Sequence, residues 1–221
     1  MDLNALLDRA RESAAGGIAG EEIATQPSGA MTPGQAQQHA AVEVDQAFEQ
    51  ITSRVASGFL ILQEQYRRQK GSPGHEQAIA FLEPGFFDGK EGALAPMAEA
   101  DGAEFDLAEA LAVSLDDLSA AHDLTEELFG QKRYEDAAAA LFCLSLVAPD
   151  VPELQRGLGH AEYYCGRLEN AVACYYQAYM CDPGNPEPLF NAAFCLETAG
   201  DAGAAADLRQ KAEELERELA K

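Results

Sequence analysis

The 221-residue chain is 47% apolar and 24% charged, enough for a packed core and too apolar for wholesale disorder. Its formal net charge of -23 is spread along the whole length: 7 basic and 16 acidic residues in 1–105 give -9, and 8 and 22 in 106–221 give -14. Both halves repel polyanions, which excludes nucleic acid and anionic membrane surfaces as natural partners; an acidic solvated surface, or a soluble carrier for an adhesive client, fits the balance.

The opening MDLNALLDRARESAAGG carries acids early and a short apolar patch, a poor secretory signal. The apolar run VASGFLIL (55–62) is far short of the ~20 residues that a helical membrane span needs. The expected location is cytoplasmic, without direct membrane insertion. Leu3, Leu6, Leu7 and Ala10 space a short amphipathic helix over 1–15, and residues 16–35, rich in Gly, Pro, Ser and Thr, read as a linker. From Ala36 to about Gln69, Val44, Phe48, Ile51, Val55, Leu62 and Tyr66 fall on three- and four-residue steps, predicting one long amphipathic helix interrupted at modest cost by Gly58. KGSPGH (70–75) stops it. A short segment, EQAIAFL (76–82), precedes a loop over 84–102, so residues 1–105 form an N-terminal extension with amphipathic helix 36–69 and loops. A helix of that length must bury its stripe, by folding over the helices downstream, by packing on 106–118, or by pairing with a second copy.

From Asp106 onward the pattern is helical throughout, with no alternation of a strand kind. Helices are predicted at 106–113, 116–130, 134–147, 152–165, 168–181, 186–199 and 202–220. The last is strongly charged, with Leu208, Ala212, Leu215 and Leu219 on one side, and suits the polar end of a stack. Cys143, Cys165, Cys174, Cys181 and Cys195 form no CxxC pair and four of the five suit helix interiors, so buried reduced thiols are expected, with no metal and no cofactor.

These helices repeat. Ala137, Ala171 and Ala205 stand thirty-four residues apart, as do Pro149 and Pro183. Three copies, 118–151, 152–185 and 186–221, each read as helix, turn, helix and stop. This is the period of the tetratricopeptide repeat, in which small residues let the paired helices approach closely. Leu124, Leu128, Ala137, Leu141 and Pro149 carry the match in the first copy, and Leu158, Gly159, Ala171, Tyr175, Ala178 and Pro183 in the second. The third keeps Leu189, Ala192, Ala193, Leu196, Gly200 and Ala205. There Arg209 replaces the usual large apolar residue, with Leu208 as its substitute. The predicted fold is all-α: three tetratricopeptide hairpins with a C-terminal capping helix behind a partly helical extension.

The segments LFGQKRYEDA (128–137), LQRGLGHAEYYCGRLENAVACY (154–175) and NAAFCLETAGDAGAAAD (191–207) resemble the class II chaperones of bacterial type III secretion. The run-in ALAVSLDDLSAAHDL (110–124) is similar to theirs, and the likeness covers about 106–221. The extension before it exceeds the short amino-terminal segment usual in that family. The resemblance implies a chaperone whose groove takes a short stretch of a hydrophobic translocator, keeps it soluble and unassembled before export, and dimerises through amino-terminal helices.

Helix geometry divides the first helix of each copy. Residues 121, 124, 125 and 128, with 158, 159 and 162 and with 192, 193 and 196, suit packing on the second helix. The rotated set holds His122, Glu126 and Phe129; Arg156, His160 and Tyr163; Phe190, Phe194 and Glu197. If first helices line a concave wall, as in the resembling repeats, these residues face an extended or helical peptide, with Tyr163 exposed. A carboxylate clamp for chain ends is disfavoured, because two of its five positions here are Glu126 and Glu187.

An enzyme is not expected. GFFDGK (85–90) is one residue short of a phosphate loop, and HDLTEE (122–127) lacks the second histidine of a helical zinc site. Glu126 with Glu127, and Glu213 with Glu214, are sequence neighbours that point apart on their helices and cannot form a facing acid–base pair. The rival readings are a general tetratricopeptide scaffold and a regulatory subunit that assembles a complex.

Overall fold

The computed structural model describes residues 33–71, 78–83, 86 and 107–219. The helix expected over 1–15, most of the linker and nearly all of the 84–102 loop lie outside the described residues. Among the described residues all regular structure is helical.

Helix α1 runs Pro33–Gln69 and ends before Gly71, which takes a left-handed φ of 84°. Its stripe is buried unevenly. Leu62 and Tyr66 lie in the core, Val55 is half-buried and Ile51 is exposed. After α1, a 3-10 turn at Ala80–Leu82 buries Phe81 and Leu82. Three contacts clip this turn in place: the Tyr66 hydroxyl donates to Glu83 Oε1 at 2.5 Å, Lys70 pairs with the same carboxylate, and the Ala80 N–H donates to Asp117 Oδ1 at 2.9 Å.

The remaining helices are α2 (Leu107–Leu111), α3 (Leu115–Gly130), α4 (Tyr134–Val147), α5 (Pro152–Tyr164), α6 (Leu168–Cys181), α7 (Glu187–Ala199) and α8 (Ala202–Leu219). Their ends fall close to the predicted ones because local chemistry sets them. Ser114 accepts from the Asp117 N–H at 3.0 Å as the cap of α3, and Pro152 occupies the first turn of α5, where its missing N–H costs nothing. Each helix packs on the next, α3 on α4 through to α7 on α8, and α1 lies along α4 and touches α3. The part of the α1 stripe at Leu62 and Tyr66 is buried by folding over the repeats.

Ala137, Ala171 and Ala205, the repeating small residues, are fully buried. A Cβ at Gly159 would sit 2.8 Å from the Tyr175 ring, so α5 and α6 meet at that glycine. The largest buried cluster joins Leu62, Tyr66, Ile79, Phe81 and Leu82 of the front segment to leucines and alanines of α3, α4 and α5. A second one, Ala171, Tyr175, Ala192 and Cys195, is covered by Leu208 of α8. Arg209 beside it is exposed and pairs with Glu197 at 2.8 Å, so Leu208 does replace the missing apolar residue. Cys143 and Cys195 are buried; Cys165, in a turn, Cys174, in mid-α6, and Cys181, the last residue of α6, are only half-buried. Burial pushes the Cys143 and Cys174 thiols up to about 12, which leaves them protonated and inert.

The turn inside each hairpin needs one left-handed residue, at positions thirty-four apart: Lys132 (φ 62°), Gly166 (78°) and Gly200 (90°). Lysine is the strained member. Lys132→Gly should raise unfolding stability by about 1 kcal/mol, after the glycine's greater unfolded entropy is set against the relieved strain. Denaturant titration checks this, and a lower midpoint would contradict it.

Candidate peptide-binding face

The packing side of the first helices is buried as expected. Ala121, Leu124, Thr125 and Leu128 of α3, Leu158, Gly159 and Glu162 of α5, and Ala192 and Ala193 of α7 are closed to solvent, and Leu196 is half-buried. The rotated set is mixed. His122, Phe129, Arg156, His160, Tyr163 and Phe190 are half-buried, while Glu126, Phe194 and Glu197 are exposed.

Five rings touch in series across the three hairpins. Phe129 meets Tyr134 at 4.9 Å and Tyr164 at 5.2 Å, both edge-on, and Tyr134 stacks on Tyr164 at 4.7 Å. Tyr164 meets Tyr163 at 5.4 Å, and Tyr163 meets Phe194 at 5.6 Å. Three members, Phe129, Tyr163 and Phe194, belong to the rotated set. Tyr134, from the first turn of α4, and Tyr164 do not. The other members lie elsewhere: Arg156 pairs with Glu187 at 3.3 Å, the His160 ring abuts Tyr175 at 5.4 Å, His122 lies beside Gly157, and Phe190 sits one turn before Phe194.

Tyr163 is not the exposed ring. It packs half-buried against the Ala171–Tyr175 cluster, and Tyr164, about 100° further round the helix, stands 55% exposed. With Phe194 at 52%, the row carries two open aromatic surfaces. Such a surface binds apolar or aromatic segments by burying ring area, and tyrosine adds a polar rim.

Behind the row lies a polar network that the periodicity did not reveal. Glu162, 1% exposed, falls on the packing side of α5 and accepts hydrogen bonds from both Arg54 of α1 and Arg167. Arg167 also grips Glu135 of α4 through Nη1, at 2.8 Å to each carboxylate oxygen. The Arg54 guanidinium lies 4.4 Å from the centre of the Phe142 ring. The one sequence signal was an acid among apolar neighbours; nothing local names its partners. Alongside, a cleft of about 710 Å³ opens between α1 and α4, lined by Glu49, Ser53, Glu135 and Asp136 together with the two arginines.

Two carboxyls and a histidine are held below their ordinary range. Hydrogen bonds from Arg167 hold the Glu135 carboxyl low, against burial, and those from Lys70 and Tyr66 do the same for Glu83. Burial lowers His160, helped by Arg156 and opposed by Glu187. All three depressions favour the deprotonated form in the folded state, so their contribution is complete above the unfolded values and is lost as pH falls through the folded ones. Stability is expected to be flat near pH 7, to decline below about 6.5 as His160 charges, and to decline again below about 4.5. Denaturation midpoints against pH check this, with His160→Phe removing the first decline; a midpoint constant down to pH 4 contradicts it.

Among the described residues no three or more His, Cys, Asp or Glu side chains gather as a metal site, and no helix is long and apolar enough to cross a membrane. No protein-family model and no curated protein matches the sequence. Solved structures do. The chain is similar to a chain of a CopN-Scc3 complex, with 16% identity over 52% of this chain and 68% of that one, at a TM-score of 0.50. It is similar to the type III secretion translocator chaperone SycD of Yersinia enterocolitica, with 25% identity over 51% of this chain and 84% of that one, at 0.48. A type III secretion complex from Aeromonas hydrophila gives 24% identity over 57% and 81%, at 0.49. The first of these likenesses supports the fold, three stacked helical hairpins.

Proposed function

We propose that this protein is a cytoplasmic chaperone of type III secretion, which holds an apolar segment of a hydrophobic translocator until export. In this reading residues 106–221 are the repeat domain and 1–105 its extension. The observation that carries it is the five-ring row, open at Tyr164 and Phe194 and continuous across three hairpins. A row of five touching rings with two of them open to solvent is a costly feature to leave uncovered on an acidic chain, and a client that buries it explains why it is there. His122, Glu126, Arg156 and His160 are the polar members of the same rotated helix faces, and Phe190 sits one turn before Phe194; all five are proposed to touch the client with Phe129, Tyr163 and Phe194. The sequence resemblance of 106–221 to class II chaperones supplies the kind of client.

Co-expression with the hydrophobic translocators of the same genome tests it. A chaperone should move a translocator from the pellet to the soluble fraction as a stable complex. A translocator whose solubility is unchanged would overturn the reading and favour a scaffold or regulatory subunit. A second copy of the chain is the other partner proposed, and light scattering on the purified protein should find two chains per particle; one chain would contradict it.

A further inference from the structure

Glu162 is a buried carboxylate held by guanidiniums from two different parts of the chain. Burying a charge is tolerable only where partners replace the lost water, and removing one partner leaves an uncompensated charge. The local count balances: Glu162 and Glu135 carry two negative charges, Arg54 and Arg167 two positive ones. Arg167 is shared between both carboxylates, so Arg54 is the partner that makes the count even.

The place of Glu162 makes this more than a structural pair. Tyr163 and Tyr164 come directly after it, and the turn that ends α5 closes on the same residues: the Arg167 N–H donates to the Glu162 carbonyl at 2.9 Å, and the Gly166 N–H to the Tyr163 carbonyl at 2.9 Å. Arg167 therefore holds Glu162 by backbone and side chain together. Glu162, Tyr163 and Tyr164 are consecutive residues of the last turn of α5, so a shift of that turn moves the carboxylate and both rings together. Arg54 comes from 108 residues away, on α1, and its guanidinium lies over the Phe142 ring.

We propose that Arg54 is a positioning residue for the aromatic row: by neutralising Glu162 it fixes the last turn of α5, and so the seating of α1 on the repeats sets the pose of Tyr163 and Tyr164. This rests on the row being the binding face only for its functional meaning; the coupling itself is a property of the free protein.

The test is fluorine NMR of the full chain labelled with 3-fluorotyrosine, whose seven tyrosines are assigned by single Tyr→Phe variants. Arg54→Met keeps an unbranched apolar side chain on α1 and removes the charged guanidinium. It should shift the Tyr163 and Tyr164 resonances and leave those of Tyr176 and Tyr179, which lie under Lys211, in place. Arg54→Lys should return them toward the unaltered positions, and so should the double variant Arg54→Met with Glu162→Gln, which removes both charges. Unmoved resonances in Arg54→Met overturn the proposal. So does a double variant that stays displaced, because Arg54 would then act by packing. Should Arg54→Met fail to fold, the double variant decides alone: folded with restored resonances supports the proposal, and displaced or unfolded overturns it. No client enters this measurement, so its failure is separate from a failure of the chaperone reading, which the co-expression experiment tests.

Discussion

Gly58→Ala should unseat α1 from the repeats and lower unfolding stability by about 2 kcal/mol. A methyl group there would lie 2.7 Å from the carbonyl carbon of Ala139 and 3.1 Å from Cys143 Cβ, so the helices α1 and α4 touch backbone to backbone at this point. Because the obstacle is main chain, no rotamer relieves it, and the helix must move. Overpacking of this kind costs about 1–3 kcal/mol or more, against about 1 kcal/mol that alanine gains over glycine in a helix. Gly130→Ala is the control: nothing lies within 4 Å of its Cβ position, and it should be neutral to stabilising. Denaturant midpoints read the difference, and limited proteolysis should cut α1 earlier in the Gly58 variant. A Gly58→Ala protein as stable as Gly130→Ala would mean that α1 does not pack through this contact.

That glycine shows where sequence reading ends. A gap in an apolar stripe looks the same whether it is a tolerated defect or the point where two helices meet, and only the partner, Ala139, distinguishes them. The hairpins were legible because their signals are local: Ser114 and Pro152 at helix starts, a left-handed residue at 132, 166 and 200, and small residues at 137, 171 and 205. Position 132 shows the limit of even that signal, since the turn conformation is kept while the glycine is not. The aromatic row was half legible. Phe129, Tyr163 and Phe194 emerge from rotating a helix by the repeat, but Tyr134 corresponds to Leu168 and Ala202, and Tyr164 to Gly130 and Thr198, so no argument from equivalent positions selects them. Glu162 fell on the packing side by the same rotation, and its partner Arg54 lies too far along the chain for any spacing rule.

Tyr164→Ala combined with Phe194→Ala carries the largest expected effect on function. Central aromatic anchors cost about 2 kcal/mol or more each when truncated, which is about 30-fold in affinity per ring, although neighbouring anchors do not add strictly. Both rings are half open to solvent, so their removal should leave helical content and thermal unfolding nearly unchanged while a translocator dissociates at least about 100-fold more readily. Tyr176→Ala with Met180→Ala is the matched control, two comparably exposed apolar residues on α6 outside the row, and it should leave affinity within about 3-fold. Equal losses in both double variants would mean that the chain holds clients by general stickiness.

A photo-crosslinking amino acid at position 164, and separately at 194, 176 and 180, in the protein co-expressed with a translocator locates the client directly. Positions 164 and 194 should crosslink to one apolar segment of the translocator, and 176 and 180 should not. Crosslinks from 176 and 180 with none from 164 and 194 would refute the binding face, because the client would then lie on α6 and not on the five rings.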